Sequence, residues 1–247
     1  MTKTINIFNI KPMNNLLVAA VNNDIKRFVF TSSMAVYGKQ TPPFDETMPR
    51  FPVDPYGAGK AYCENMLELF HELHGLDYII VRPHNVFGER QNVLDPYRNV
   101  IGIWMNTMMN NRRPFIYGDG MQTRAFTYIR NFTPTMVNTL TCKPNQIFNI
   151  GTEKQITINE AYAIVAAAMK SPLKPLMVPD RPGEVKHAYC TNRKALKLLK
   201  YRETWSFEAG VMKMAEWVKQ SGPQTASYRL PLEIMKNAPQ VWRERLI

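Results

Sequence analysis

Two short apolar runs, Phe28–Phe30 and the segment DYIIVR at 77–82, each follow a stretch of helical periodicity, and this alternation constrains the fold more than any other feature of the chain. Ile10, Met13, Leu16, Leu17, Ala20 and Val21 recur at three- and four-residue intervals, which predicts an amphipathic helix ending near Asn22–Asn23. A second helix is expected from Pro55 to about His74, with Gly75 as its stop. Strands that are apolar throughout, joined by helices, belong to a parallel sheet covered on both faces. The fold class is α/β. Two strands cannot form a stable sheet alone, so other strands of the chain or a partner must complete it.

Further along, the pattern predicts a helix near 99–110, a strand at 114–117, a Gly118-Asp119-Gly120 turn and a strand at 146–150. Helical periodicity then returns at 157–169, 192–199 and 206–219, and the last 27 residues read as a helical tail. The 247 residues, 45% hydrophobic and 21% charged, suffice for a buried core and exclude disorder and simple repeats.

The charge balance narrows the partners. Thirty-one Lys and Arg against 20 Asp and Glu give +11, which favours an anionic ligand. The basic residues are scattered and not interleaved with aromatics on one element, which argues against nucleic acid. Cys63, Cys142 and Cys190 are odd in number, widely spaced and without a C-x-x-C, so a reducing, cytoplasmic setting is expected and a disulfide framework is not. The apolar run Leu16–Val21 is too short to span a bilayer. His71 and His74 stand at i, i+3 where a zinc helix needs i, i+4, so no metal site is expected.

Tyr56 and Lys60, at i and i+4, share one face of the second helix. An ammonium beside a phenol lowers the cost of ionising it, which makes the phenol usable as a base. Just upstream, the hydroxyls of Thr31, Ser32 and Ser33 follow a buried parallel strand at its carboxyl end, where open α/β sheets place their ligands.

Here the sequence resembles a family. FVFTSSMAVYG followed by DETMPRFPVDPYGAGKAYCENML is similar to the catalytic segment of the extended short-chain dehydrogenase/reductases, in particular the NAD-dependent, UDP-glucose 4-epimerase-like nucleotide-sugar epimerases. VRPHNVFGERQN at 81–92, IYGDGMQTRAFTYI at 116–129, FNIGTEKQITINEA at 148–161 and RPGEVKHAYCTNRKAL at 181–196 continue the likeness in order. The resemblance implies an incomplete Rossmann-type parallel sheet with a smaller, mainly helical substrate-binding domain. Residues 1–83, with a return segment at about 126–151, would form the partial NAD-binding domain, and 84–125 with 152–247 the nucleotide-sugar-binding domain.

The same resemblance implies roles. Tyr56 is the base that removes a proton from the sugar hydroxyl, Lys60 supports it and holds the nicotinamide ribose, and Ser33 hydrogen-bonds the sugar oxygen. Asn9, Thr31, Ser32, Tyr56, Lys60 and Pro83 line the NAD site. Ser33, Asn85, Arg124, Arg181 and Glu184 bind a UDP-sugar, the arginines through planar forks that suit phosphate oxygens. His84 either touches substrate or Tyr37 or is structural. A homodimer is implied through helices at about 10–23 and 55–74, with apolar outward faces.

Two departures from the family pattern matter. Dehydratases and decarboxylases carry an acidic residue just after the catalytic hydroxyl, where this chain has Met34 and Ala35, so epimerase ranks above dehydratase. Pro12 and Met13 stand where the family's early N-V-x-G-T-x-N-L-L segment has glycine and threonine, and none of the 12 glycines falls in a G-x-G-x-x-G spacing. Three readings stay open: an epimerase whose glycine-rich strands come from a separate N-terminal subunit, a truncated inactive relative, and a non-catalytic nucleotide-sugar binder.

Overall fold

The computed structural model describes residues 9–95, 99–181, 185–225 and 234–245. In chain order these form α1 (Lys11–Asn22), β1 (Arg27–Thr31), a 3₁₀ turn (Met34–Tyr37), α2 (Pro55–His74), β2 (Asp77–Pro83), β3 (Val86–Phe87), α3 (Val100–Met109), β4 (Phe115–Tyr117), β5 (Thr123–Ala125), β6 (Thr127–Tyr128) and α4 (Ile129–Asn138). They continue as β7 (Gln146–Ile150), β8 (Gln155–Thr157), α5 (Ile158–Met169), β9 (Leu176–Val178), β10 (His187–Ala188), α6 (Arg193–Leu198), α7 (Phe207–Ser221) and α8 (Gln240–Arg243). No helix among the described residues is long and apolar enough to cross a membrane.

The elements fall into two compact units. The first comprises residues 1–84, 131–153 and 188–202; the second comprises 85–130, 154–187 and 203–247. The sequence reading assigns all of 152–247 to the second part. Residues 188–202 instead return to the first, because Phe44 bridges Cys190 in a strand-like pair and α6 packs on β7.

In the first unit β1, β2 and β7 form a parallel sheet in that order. Val29 pairs with Ile79 and Val81 with Phe148, so β7 supplies the third strand that the two apolar runs required. β1 is an edge strand among the described residues. Successive strand residues point to opposite faces. On one face Phe28, Phe30, Tyr78, Ile80 and Ile147 meet Met13, Leu17 and Ala20 of α1 and Cys63 and Leu67 of α2. On the other, the Lys194 ammonium of α6 lies 5.0 Å from the centre of the Phe148 ring. The spacing of apolar residues that predicts α1 is thus the spacing that fills the core.

The second unit packs α3, α5 and α7 around Trp104, Met105, Val165, Val211 and Met214. Short strands frame this core: β3 with β6 and β4 with β9, both parallel, and β5 antiparallel to β8. A capping box starts α5: the Glu160 N–H donates to Thr157 Oγ1 at 3.1 Å, and the Thr157 N–H to Glu160 Oε2 at 2.7 Å. The helical tail expected over the last 27 residues is seen among the described residues as α8.

Candidate active site and nucleotide cavity

The residues expected to handle the proton lie in the first unit, Ser33 where the chain leaves β1 and Tyr56 and Lys60 on α2. Asp54 caps α2 by accepting the Gly57 N–H at 2.7 Å, and Pro55 occupies its first turn, where a missing N–H costs nothing. Tyr56 and Lys60 therefore sit within the first two turns of a rigid 20-residue helix. The Lys60 ammonium donates to the Thr31 carbonyl at 2.9 Å and stands 5.9 Å from the centre of the Tyr56 ring. Ser33 caps the 3₁₀ turn, its Oγ accepting the Ala35 N–H at 3.2 Å. Gly57 admits this arrangement: a Cβ there would stand 2.6 Å from the Ala35 carbonyl oxygen, so only glycine lets α2 lie against the turn that follows Ser33.

Beneath these residues is a buried charge network that the sequence reading does not contain. Glu64 is 0% exposed and Arg82 1%. Arg82 grips the carboxylate with both Nε, at 3.0 Å, and a terminal nitrogen, at 2.6 Å. Its other terminal nitrogen donates at 2.7 Å to the Tyr37 hydroxyl, which itself donates to Asn149 at 2.8 Å. Glu64 also accepts from the Ser32 hydroxyl at 2.5 Å and from Arg50 at 2.6 Å. Burial opposes ionisation of Glu64, but the hydrogen bonds and charge of Arg82, with Ser32 and Arg50, outweigh it and hold the carboxyl below the usual range. Burial likewise pushes the Tyr37 phenol up, against the pull of Arg82.

His84 is fully buried, with Nδ1 3.4 Å from the Thr152 carbonyl, so the expectation resolves toward a structural role. Burial depresses its pKa from 6.5 to about 4, which keeps it neutral. The Asn9 carbonyl lies 3.8 Å from Cys63 Sγ, which places the start of α1 on α2. His71 approaches Asp77 at 3.9 Å on the helix surface, and among the described residues no group of three metal-ligating side chains occurs.

The remaining candidates belong to the second unit, where three of them converge. Asn85, Arg124 and Arg181 line one cavity of about 210 Å³, together with Trp104, Tyr117, Gln122, Phe126 and Trp242. Asn85 is held with φ 32°, its side-chain amide donating to the Ala125 carbonyl at 2.9 Å. Arg124 is anchored by one terminal nitrogen to the carbonyls of Thr123 and Lys186, at 2.8 and 3.0 Å. The Arg181 guanidinium lies 4.8 Å from the centre of the Tyr117 ring. Gly118, at φ 66°, seats the neighbouring chain, since a Cβ would stand 2.0 Å from Asp180 Oδ1. Two planar cations with an amide and aromatic walls can take a diphosphate and a flat ring. Glu184 lies outside the described residues. Gln122 lies within the motif at 116–129 but is assigned no role by it, and Trp242 lies outside every motif of the sequence.

The NAD-site candidates meet an uneven test. Thr31 ends β1 and Pro83 ends β2, Ser32 and Ser33 follow β1 directly, and the Lys60 ammonium meets the Thr31 carbonyl, a set of hydroxyls and a cation at a strand end that can take a ribose. No glycine spacing in the chain serves a pyrophosphate turn. The residues present therefore fit the nicotinamide end of the cofactor alone.

The chain is similar to known nucleotide-sugar epimerases. A putative UDP-glucose 4-epimerase of Methanocaldococcus jannaschii is 35% identical over 209 residues, covering 83% of this chain and 67% of the relative. The structure of a UDP-N-acetylglucosamine 4-epimerase from Methanobrevibacter ruminantium, in complex with UDP-N-acetylmuramic acid, superposes with a TM-score of 0.82 at 33% identity, covering 87% of this chain and 70% of that one. That of a UDP-glucuronic acid 4-epimerase from Bacillus cereus, holding UDP-glucuronic acid and NAD, gives 0.79 at 27% identity, covering 85% and 66%. The chain thus spans about two thirds of the length of these relatives. A model of the NAD dependent epimerase/dehydratase family matches residues 2–151. With the Tyr56–Lys60 pair at the end of a parallel sheet and an arginine-lined cavity in a second unit, this chain belongs to the NAD dependent epimerase/dehydratase family.

Proposed function

We propose that this chain carries the catalytic and sugar-nucleotide-binding groups of a nucleotide-sugar 4-epimerase acting on a UDP-hexose. The observation that carries the reading is the Lys60 ammonium, fixed by the Thr31 carbonyl at 2.9 Å on the helix that bears Tyr56. Tyr56 accepts the proton of the sugar 4-hydroxyl, with the Lys60 ammonium one helical turn along on the same face and Ser33 hydrogen-bonding the same oxygen. NAD, when bound with its nicotinamide end at Thr31, Ser32, Lys60 and Pro83, would supply the hydride acceptor and donor for C4. The 4-keto sugar formed between the two transfers is reduced on its other face, and Tyr56 gives the proton back. Asn85, Arg124 and Arg181 hold the nucleoside diphosphate throughout, and Glu184 its ribose.

Dehydration is the second reading. Loss of water from the sugar needs an acid near the catalytic hydroxyl, and Met34 and Ala35 follow Ser33 in its place. Among the described residues β1 is the edge of its sheet, a position where a further strand can pair. Leu16 and Val18 of α1, and Leu69 and Leu73 of α2, are exposed apolar side chains, which supports a homodimer through these helices.

Tyr56→Phe tests the assignment. It is expected to leave UDP-hexose affinity within twofold by calorimetry and to lower 4-epimerisation by at least about a thousandfold. Equal loss of binding and turnover contradicts it.

A further inference from the structure

The cavity of the second unit is lined almost entirely by residues between Asn85 and Arg181, and Trp242 is the exception. It arrives from α8, beyond the last long helix of the chain. Its neighbour Val241 is buried and anchors this short helix, while Trp242 is half-buried and contributes its surface to the cavity wall.

The chemistry of the wall assigns that surface a purpose. Arg124, Arg181 and Asn85 offer charge and hydrogen bonds to phosphate oxygens, while of the other aromatic walls Trp104 and Phe126 are buried in the core and the Tyr117 ring lies under the Arg181 guanidinium. An indole is a broad π face, and stacking of a base on an aromatic side chain tolerates any base and contributes enough to shift affinity about tenfold. The cavity, at about 210 Å³, is smaller than the roughly 300–1,000 Å³ common for small-molecule sites, so a whole nucleotide sugar requires a wall to yield. A wall carried on a four-residue helix is suited to that. The family model ends at residue 151, well before this segment.

We propose that Trp242 is a nucleobase-binding residue: it closes the cavity from the C-terminal segment and stacks on the base of the nucleoside diphosphate. The inference rests on the nucleotide-sugar reading of the cavity, and its test separates the two.

The full chain is titrated with UDP and, separately, with inorganic pyrophosphate, as wild type, Trp242→Ala, Trp242→Phe and Arg124→Ala. Trp242→Ala is expected to weaken UDP about tenfold and pyrophosphate less than twofold, and Trp242→Phe to recover most of the UDP affinity. UDP is also expected to quench tryptophan emission in the wild type, and the quench to shrink in Trp242→Phe, where Trp104 is the tryptophan left in the lining. If Arg124→Ala weakens UDP while Trp242→Ala leaves it within twofold, the role of Trp242 is overturned and the cavity assignment stands. If Trp242→Ala weakens UDP and pyrophosphate equally, the indole is a structural wall and the proposal fails. If the wild type does not bind UDP, or Arg124→Ala binds it unchanged, the cavity assignment itself fails.

Discussion

Glu64 stands one turn beyond Lys60 on α2, and its carboxylate receives Ser32, the residue between Thr31 and Ser33. One buried charge thus ties the helix that bears Tyr56 and Lys60 to the end of β1 and, through Arg82, to β2. Pairs of this kind offset a large desolvation cost with close geometry, and removing one partner leaves the other charge buried. The sequence conceals this. Tyr56 and Lys60 announce themselves by their spacing, whereas Glu64 and Arg82 read as ordinary charges at a helix face and a strand end, because burial is a property of the packed fold. His84 was legible as a candidate but not as to its role, which its neighbours decide. Its depressed pKa makes a pH prediction. The unfolded chain binds the His84 proton at about pH 6.5 and the folded one only near pH 4, so stability is full above 6.5 and falls as pH drops through that window. The loss reaches about 3 kcal/mol by pH 4. In urea unfolding the wild type should lose that much more stability than His84→Asn between pH 6.5 and pH 4; parallel curves contradict a buried neutral imidazole.

At the level of elements, the long periodic helices and the apolar strands were readable, and α2 and β7 have the bounds the sequence predicts. The helix α4 was not. Its sequence IRNFTPTMVN holds Pro134 and two threonines, which local propensity disfavours, and packing of Phe132 and Thr135 overrides it. Strands of two or three residues such as β3, β6 and β9 are too short for any periodicity to show. The contact between α2 and the 3₁₀ turn makes the element-scale prediction. Gly57→Ala places a methyl group against the Ala35 carbonyl and Pro52, which forces the helix bearing Tyr56 away from the turn that follows Ser33. Overpacking of this kind costs about 1–3 kcal/mol. The variant is expected to melt several degrees lower and to lose at least about tenfold in turnover, with UDP affinity unchanged because the cavity belongs to the other unit. Unchanged melting and turnover would show that the close approach is not required.

On the scale of the molecule, the candidate residues are divided between two compact units, one holding Ser33, Tyr56 and Lys60, the other Asn85, Arg124 and Arg181. The order of motifs made this division readable, since the candidates for proton transfer and for phosphate binding lie in separate stretches of sequence. The return of 188–202 to the first unit was not readable, because a single bridge between Phe44 and Cys190 leaves no local pattern. The +11 charge acquires a location in the same way: scattered along the chain, it includes two guanidinium groups brought to one cavity. The central claim is that these groups serve C4 epimerisation. It is tested most directly by following UDP-glucose by proton NMR with the protein and added NAD. The account predicts appearance of UDP-galactose with no net NADH and no loss of water, and none with Tyr56→Phe; a 4-keto-6-deoxy product, or interconversion that survives Tyr56→Phe, contradicts it.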